Sequence, residues 1–276
     1  NGDAYSWELR GKETLVIAKS LIIATGSSPK MWKLIASLGH QIVPPVPSLF
    51  TFNVKDERLQ DLSGINLPAE IEVFTTKDRG VSRQKLKSLY SSGPILITHW
   101  GLSGPCILKL SAWGAREFYT LNHQFQLRIN WLPSHNEETL KGVFEELKTN
   151  HPKQFLFTNP IEGLPKRFWQ SLLKHLQIDN QLNWSSMSKS QMHSLAQELC
   201  AGQFHVNGKS TFKDEFVTAG GVHLKEIDFK SFQSKLHQDL FFVGEVLDVD
   251  AVTGGFNFQH AWTSAFICAK HLSTSL

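Results

Sequence analysis

The order of apolar and polar positions changes character twice along the chain. From Trp7 to Ile17 apolar residues alternate with polar ones on either side of Arg10-Gly11-Lys12-Glu13, which predicts a strand, a turn and a second strand. Leu21-Ile22-Ile23-Ala24 is continuously apolar, as in a parallel strand buried on both faces, and stops at Thr25-Gly26-Ser27-Ser28-Pro29. Pro44, Pro45 and Pro47 mark a boundary, because proline fits neither a helix interior nor a central strand. From there to about Pro133 the pattern is mostly strand-like. Phe50, Phe52 and Val54 alternate, as do Ile71 and Val73, and Ile95-Leu96-Ile97 is a short buried run. Phe125, Leu127, Ile129 and Trp131 face one way against Gln126, Arg128 and Asn130, a half-buried antiparallel strand.

From Ser134 the period becomes helical. Ser134 and Glu137 have capping-box spacing, and Leu140, Val143, Phe144 and Leu147 recur at helical intervals. A second helix fits Pro165 to Leu176, with proline at its first turn and Phe168, Leu172 and Leu176 on one stripe. A third starts at Ser188, capped by Gln191, and buries Met192, Leu195 and Leu199. After Gly220-Gly221 the buried-strand style returns at Leu240-Phe241-Phe242-Val243, and a helix from about Asn257 to Leu272 closes the chain. The two ends are alike and the middle is different. The simplest arrangement is one discontinuous α/β domain (1–43 with 217–276), interrupted by a strand-rich subdomain (44–133) and a helical subdomain (134–216).

Composition narrows the function classes. The 276 residues are 41% hydrophobic and 19% charged, which excludes a disordered or collagen-like chain. A net charge of +3 is too balanced to argue for a nucleic-acid or membrane partner. Cys106, Cys200 and Cys268 lie far apart with no metal-ligand spacing, so no metal site is expected and a reducing, cytoplasmic setting is. No apolar run reaches the roughly 18 residues of a membrane-crossing helix, so no membrane partner is expected. Asn1 stands within a strand-and-turn pattern, from which we expect that a leading portion of the native protein is absent.

A strand followed by glycine occurs at both ends, as Ile23-Ala24-Thr25-Gly26 and Phe242-Val243-Gly244-Glu245. In doubly wound sheets ligands sit beyond the carboxyl ends of parallel strands. The second junction continues through Asp248 and Asp250 to Thr253-Gly254-Gly255-Phe256-Asn257. A carboxylate past a strand end can accept hydrogen bonds from a sugar-alcohol hydroxyl. A diglycine opening a helix offers bare N–H groups to a phosphate or an electron-rich ring edge. Each piece alone reads better as an ordinary turn or a solvated acidic loop; their ordered recurrence at opposite ends is the signal.

These stretches, with Thr98-His99-Trp100-Gly101-Leu102-Ser103-Gly104-Pro105 and Thr218-Ala219-Gly220-Gly221-Val222, resemble the HI0933-like (BaiN-type) family of NAD(P)/FAD-dependent oxidoreductases within the two-dinucleotide-binding-domain flavoproteins. The resemblance spans nearly the whole chain and implies an FAD-binding doubly wound domain interrupted by two inserts. It implies FAD held by Ala24, Thr25, Gly26, Gly244, Glu245, Asp248, Gly254, Gly255, Phe256 and Asn257. Glu245 is then expected near the ribityl chain, and the 254–257 backbone near the pyrimidine side of the isoalloxazine. The family's GxGxxG strand is missing from this sequence, the nearest match being Gly101-Leu102-Ser103-Gly104. The ADP half of the cofactor would therefore lack its cradle, and weak or absent FAD retention is expected.

No general acid is assigned. His99 is a candidate proton donor or a structural histidine beside a glycine turn. Cys106 reads as a small buried hydrophobe and His260 as structural. Trp169, Trp184, Lys166 and Arg167 raise an RNA partner, but their apolar stripe reads as core, and residues 137–213 hold nine basic against seven acidic side chains. Two functions follow. The first is a flavin-dependent oxidoreductase relaying hydride from NAD(P)H to an unidentified unsaturated acceptor, a small molecule or a pyrimidine in rRNA. The second is a non-catalytic flavoprotein-like module that binds RNA or protein.

Overall fold

The computed structural model describes residues 7–74, 81–161, 163–210 and 217–274. The chain forms two compact units, Asn1–Ser48 with Glu215–Leu276, and Leu49–Asp214. The protein is of the mixed α/β class.

In the first unit the expected hairpin forms from β1 (Trp7–Arg10) and β2 (Leu15–Ala18), antiparallel with Trp7 opposite Ala18. Next come β3 (Leu21–Ile23), helix α1 (Pro29–Ser37) with proline in its first turn, and β4 (Ile42–Ser48). The second stretch supplies β12 (Val217–Val222), β13 (Ile227–Asp228), β14 (Gln233–Ser234), β15 (Leu240–Phe242) and helix α8 (Phe256–Thr274). The decisive pairing is β3 beside β15, parallel, with Ile22 opposite Phe241 and Ile23 opposite Phe242. Their sheet runs β13-β14-β15-β3. Burial on both faces is not what β3 shows: Ile23 is buried but Ile22 is 45% exposed. The reason is position, since β3 is an edge strand among the described residues. Pro44, Pro45 and Pro47 lie inside β4, the strand at whose end, Ser48, the chain passes from the first unit to the second. They are tolerated there because, among the described residues, β4 pairs with β12 alone, in a two-stranded ribbon.

A separate core of Ile23, Trp32, Ile35, Phe241, Phe242 and Cys268, among others, holds this unit together. His40 reinforces it: its Nδ1 lies 2.8 Å from Glu226 and its Nε2 3.0 Å from the Ser234 hydroxyl. Ser234 Oγ also accepts from the amides of Leu236 and His237. Its lone pairs are spoken for, which makes this Ser-His-Glu array a brace rather than a nucleophile.

The second unit contains β5 (Phe52–Asn53), β6 (Asn66–Phe74), β7 (Tyr90–Thr98), β8 (Gly101–Ser103), β9 (Phe125–Asn130), β10 (Gly202–Val206) and β11 (Gly208–Lys209). They form one antiparallel sheet in the order β10-β9-β6-β7-β8-β5-β11. Its two outermost strands are separated in sequence by Asn207 alone, so the sheet must curl round to bring its edges together. The period-2 patterns of β6 and β9 put Ile71, Val73, Leu127 and Ile129 inside.

Helices are more frequent between 44 and 133 than the alternation suggested. They are α2 (Arg83–Lys87), α3 (Pro105–Trp113) and α4 (Ala115–Thr120). α3 escapes periodicity because Leu108, Ala112 and Trp113 are apolar although they lie outside the buried stripe of Cys106, Ile107, Leu110 and Ser111, so no polar face marks the helix. α5 (Glu137–Asn150), α6 (Lys166–His175) and α7 (Lys189–Ala201) follow. The capping box of α5 is Asn136 with Thr139, two residues later than the Ser134–Glu137 spacing suggested; that of α7 is Ser188 with Gln191. One continuous core joins helices to sheet, with Trp131 against Phe168 at 4.8 Å and Phe144 against Trp184 at 5.8 Å between ring centroids. Trp169 and Trp184 are therefore core, not a stacking surface.

Candidate functional site

Two strand ends in the first unit place the predicted residues. Beyond β3 the chain leaves through Ala24 and Thr25, both exposed, to Gly26 at φ +61°. Beyond β15 the parallel pairing carries on, Val243 N–H donating to Ile23 O at 3.1 Å. A single turn at Gly244–Val246 then presents Glu245. The junctions meet: a Cβ built on Gly26 would lie 4.0 Å from Glu245 Oε2. Glu245 Oε1 accepts from the Thr218 amide at 3.2 Å, and among the described residues Oε2 accepts no hydrogen bond. The turn is fixed from beneath, by Gly244 N–H donating to Ser264 Oγ at 2.9 Å and the Trp32 indole donating to Val246 O at 3.0 Å.

The diglycine opens α8. Gly254 and Gly255 have φ +126° and +83°, values that favour glycine, and a Cβ on Gly255 would meet nothing within 4 Å. The first turn of this 19-residue helix leaves the N–H groups of Phe256, Asn257 and Phe258 without intrahelical partners. The Asn257 side chain is not free for a ligand: its Oδ1 accepts from Ala251 N and its Nδ2 donates to Ala251 O. It locks the 251–257 loop, so position 257 offers its backbone. Phe256 is exposed. Asp248 is half-buried and its amide donates to Val222 O at 3.0 Å, while Asp250 accepts from Ser48 Oγ at 3.0 Å.

Not every motif glycine belongs to the rim. A Cβ on Gly221 would come within 2.5 Å of Val246 O, so this glycine exists for close backbone approach beside the 244–246 turn. His260, behind the diglycine, sits below the ordinary imidazole range because burial outweighs its bond to the Gly244 backbone. Its Nε2 is buried with no partner among the described residues.

These features fit the isoalloxazine and ribityl end of a flavin: open glycine backbone, unpaired helix amides, and a carboxylate oxygen with room to accept. His99 lies elsewhere, at the tip of the two-residue β7–β8 turn in the second unit, where it is exposed. There it joins Val54, Lys55, Asp56, Glu57, Leu59, Gln60, Thr98 and Gly101 in lining a cleft of about 550 Å³. Cys106 is buried, and burial pushes its thiol up despite Ser91 and Lys109 nearby.

Periodicity did not reveal the network under that cleft. Arg58, with its side chain 8% exposed, donates from Nε and Nη2 to Asp56 at 2.8 and 2.6 Å and from Nη1 to Glu198 at 2.5 Å. Nη2 also donates to Gln203 O, and the guanidinium lies 3.9 Å from the Phe204 ring centroid. Burial alone would raise the Asp56 carboxyl, but the bonds and charge of Arg58 override it and hold it below its usual range. The only hint in the sequence was Asp56-Glu57-Arg58 after a strand; Glu198 is 140 residues away.

Parallel strand ends that meet at Gly26 and Glu245 place the protein in the α/β class. Residues 46–217 match the HI0933-like protein barrel and H2TH domain, and the chain belongs to that family. The barrel in that description agrees with the closing sheet of the second unit. The ribosomal RNA dihydrouridine synthase of Haemophilus influenzae is 32% identical over 284 residues, covering 99% of this chain and 65% of that protein. The protein of the same name from Escherichia coli K12 is 32% identical, over 95% of this chain and 61% of its own length. The 3-dehydro-bile acid delta(4,6)-reductase of Clostridium scindens is 25% identical over 89% of this chain and 58% of its own length. The chain thus spans about two thirds or less of each of these curated relatives. Among the described residues no helix is long and apolar enough to cross a membrane, and no group of His, Cys, Asp and Glu is placed to hold a metal.

Proposed function

We propose that this protein is a flavin-dependent reductase that uses hydride from NAD(P)H to saturate a carbon–carbon double bond, with a uridine of ribosomal RNA as acceptor. The observation that carries the flavin reading is the meeting of the β3 and β15 ends at Gly26 and Glu245, in the same unit as the open Gly255 backbone at the head of α8. The acceptor reading is supported by the names of two relatives at 32% identity. A bound FAD would supply the hydride. The chain's own groups would hold and orient it. Glu245 Oε2 would accept from a ribityl hydroxyl, and Ala24, Thr25 and Gly26 would form the facing wall. The amides at the head of α8, at the positive end of the helix dipole, would favour negative charge on the adjacent ring edge. Asp248, half-buried and tied through its amide to Val222 O, would support the turn that carries Glu245.

A small unsaturated molecule as acceptor is the second reading, favoured by the reductase relative that covers 89% of the chain. The test supplies the protein with excess FAD and follows NAD(P)H oxidation with uridine-containing ribosomal RNA or with small enones. RNA-stimulated consumption with formation of dihydrouridine is the expected result. Salt-sensitive RNA binding without consumption of NAD(P)H would overturn it in favour of a non-catalytic RNA-binding module.

A further inference from the structure

The turn that carries Glu245 rests on the helix that the diglycine opens. Ser264 lies about two turns into α8, and of that helix only Ser264 and Cys268 are buried among the described residues. Ser264 is 0% exposed; its Oγ donates to Ala261 O at 3.0 Å and accepts from Gly244 N–H at 2.9 Å. The first bond is one that any helical serine can make, back along its own helix. The second ties α8 to a different segment. His260, one turn earlier on the same face, bonds the backbone of the same glycine. The rest of the turn is held by the Trp32 indole at Val246 O and by the Thr218 amide at Glu245 Oε1, which leaves Oε2 without a hydrogen bond among the described residues.

We infer that Ser264 is a positioning residue of the flavin site: by tying Gly244 to α8 it fixes where the neighbouring Glu245 carboxylate stands, and so sets the preference for a flavin that carries a polyhydroxyl chain over the bare ring system. The inference rests on the flavin reading above and deepens it. Without the hydroxyl, the Gly244 amide is a buried donor with no acceptor, so the turn must shift to satisfy it, and Glu245 shifts with it. The head of α8 stays in place, because alanine suits a helix interior and the diglycine lies more than two turns away. Loss of the Ser264 hydroxyl therefore acts on the chain-binding half of the site and spares the ring-binding half. A general loss of stability would weaken both alike.

The probes are riboflavin and lumiflavin, which share a ring system and differ in the ribityl chain that lumiflavin lacks. Each is titrated against the full chain and followed by quenching of its own fluorescence. The wild type is expected to bind riboflavin more tightly. Ser264→Ala is expected to weaken riboflavin about fivefold, the worth of about one hydrogen bond, and to leave lumiflavin within about twofold. In a Glu245→Ala background, where the positioned carboxylate is gone, Ser264→Ala should change riboflavin binding by less than about twofold. Wild-type binding of both flavins with equal affinity, equal weakening of both by Ser264→Ala, an unchanged preference, or losses that simply multiply in the double variant would overturn the role of Ser264 and leave the flavin reading intact. No binding of either flavin by the wild type would end both.

Discussion

Replacing Arg58 by alanine isolates the network that shapes the cleft floor. In the wild type one guanidinium satisfies two largely buried carboxylates, Asp56 and Glu198, with side chains 19% and 13% exposed. Removing one partner of a buried ion pair costs about 3–5 kcal/mol, because the charge left behind has neither water nor counter-ion. For a unit of this size each kcal/mol is about 2–4 °C, so the melting transition should fall by about 6–20 °C. Arg58→Lys should fall between, since an ammonium keeps the charge but loses the two-toothed bond to Asp56. The pH dependence gives a second, independent reading. The folded-state Asp56 carboxyl is depressed, so its contribution is present above its unfolded value near 3.8 and is lost as pH falls through the lower folded value. Without Arg58, burial outweighs the smaller pull of His175 on Asp56 and raises it, so acid should relieve the variant while it weakens the wild type. Calorimetry from pH 7 to about pH 3 should thus show the gap narrowing. A variant within about 2 °C of wild type at pH 7, or a gap constant across the series, would show that Arg58 is not the counter-ion described.

Two further outcomes follow from local geometry. Gly221→Ala forces a Cβ against Val246 O at φ +129°, so it should lower stability by at least about 1–3 kcal/mol and displace Glu245; an unchanged melting temperature would refute the close approach. The Cys200 thiol is pushed up to about 11 by burial, with Glu137 adding, so its alkylation should be slow at pH 8 and keep accelerating toward pH 11, where an ordinary thiol has levelled off. Because the folded value is the raised one, its contribution to stability is complete below the unfolded value near 9.0 and is lost as pH climbs toward 11.

What could be read in advance divides along physical lines. β6, β9, α6 and α7 were legible because each has one wet face, so polarity alternates with the period of the element. α3 was not, because Leu108, Ala112 and Trp113 outside its buried stripe are apolar too, which erases the contrast on which periodicity depends. The residues gathered at Gly26 and Glu245 were legible as glycine and acid after apolar strands, although only the parallel pairing of β3 with β15 shows that they meet. The His40–Glu226–Ser234 brace and the Arg58 network join residues 140 or more positions apart, and neither periodicity nor spacing encodes such a pairing.

The motif glycines show how a shared signature separates into different duties. A missing side chain permits either another backbone or a ligand to come close, and the sequence does not say which. What a Cβ would strike decides it. At Gly221 it strikes Val246 O, and at Gly101 it strikes Phe52 O, so both glycines are spent on packing chain against chain. At Gly255 it strikes nothing within 4 Å, although that backbone heads a long helix whose first amides are unpaired. Open space at a dipole's positive end is what an electron-rich ligand requires. Gly221 and Gly101 therefore serve backbone packing within their own units, and the rim of the proposed flavin site narrows to the two strand ends and residues 254–257.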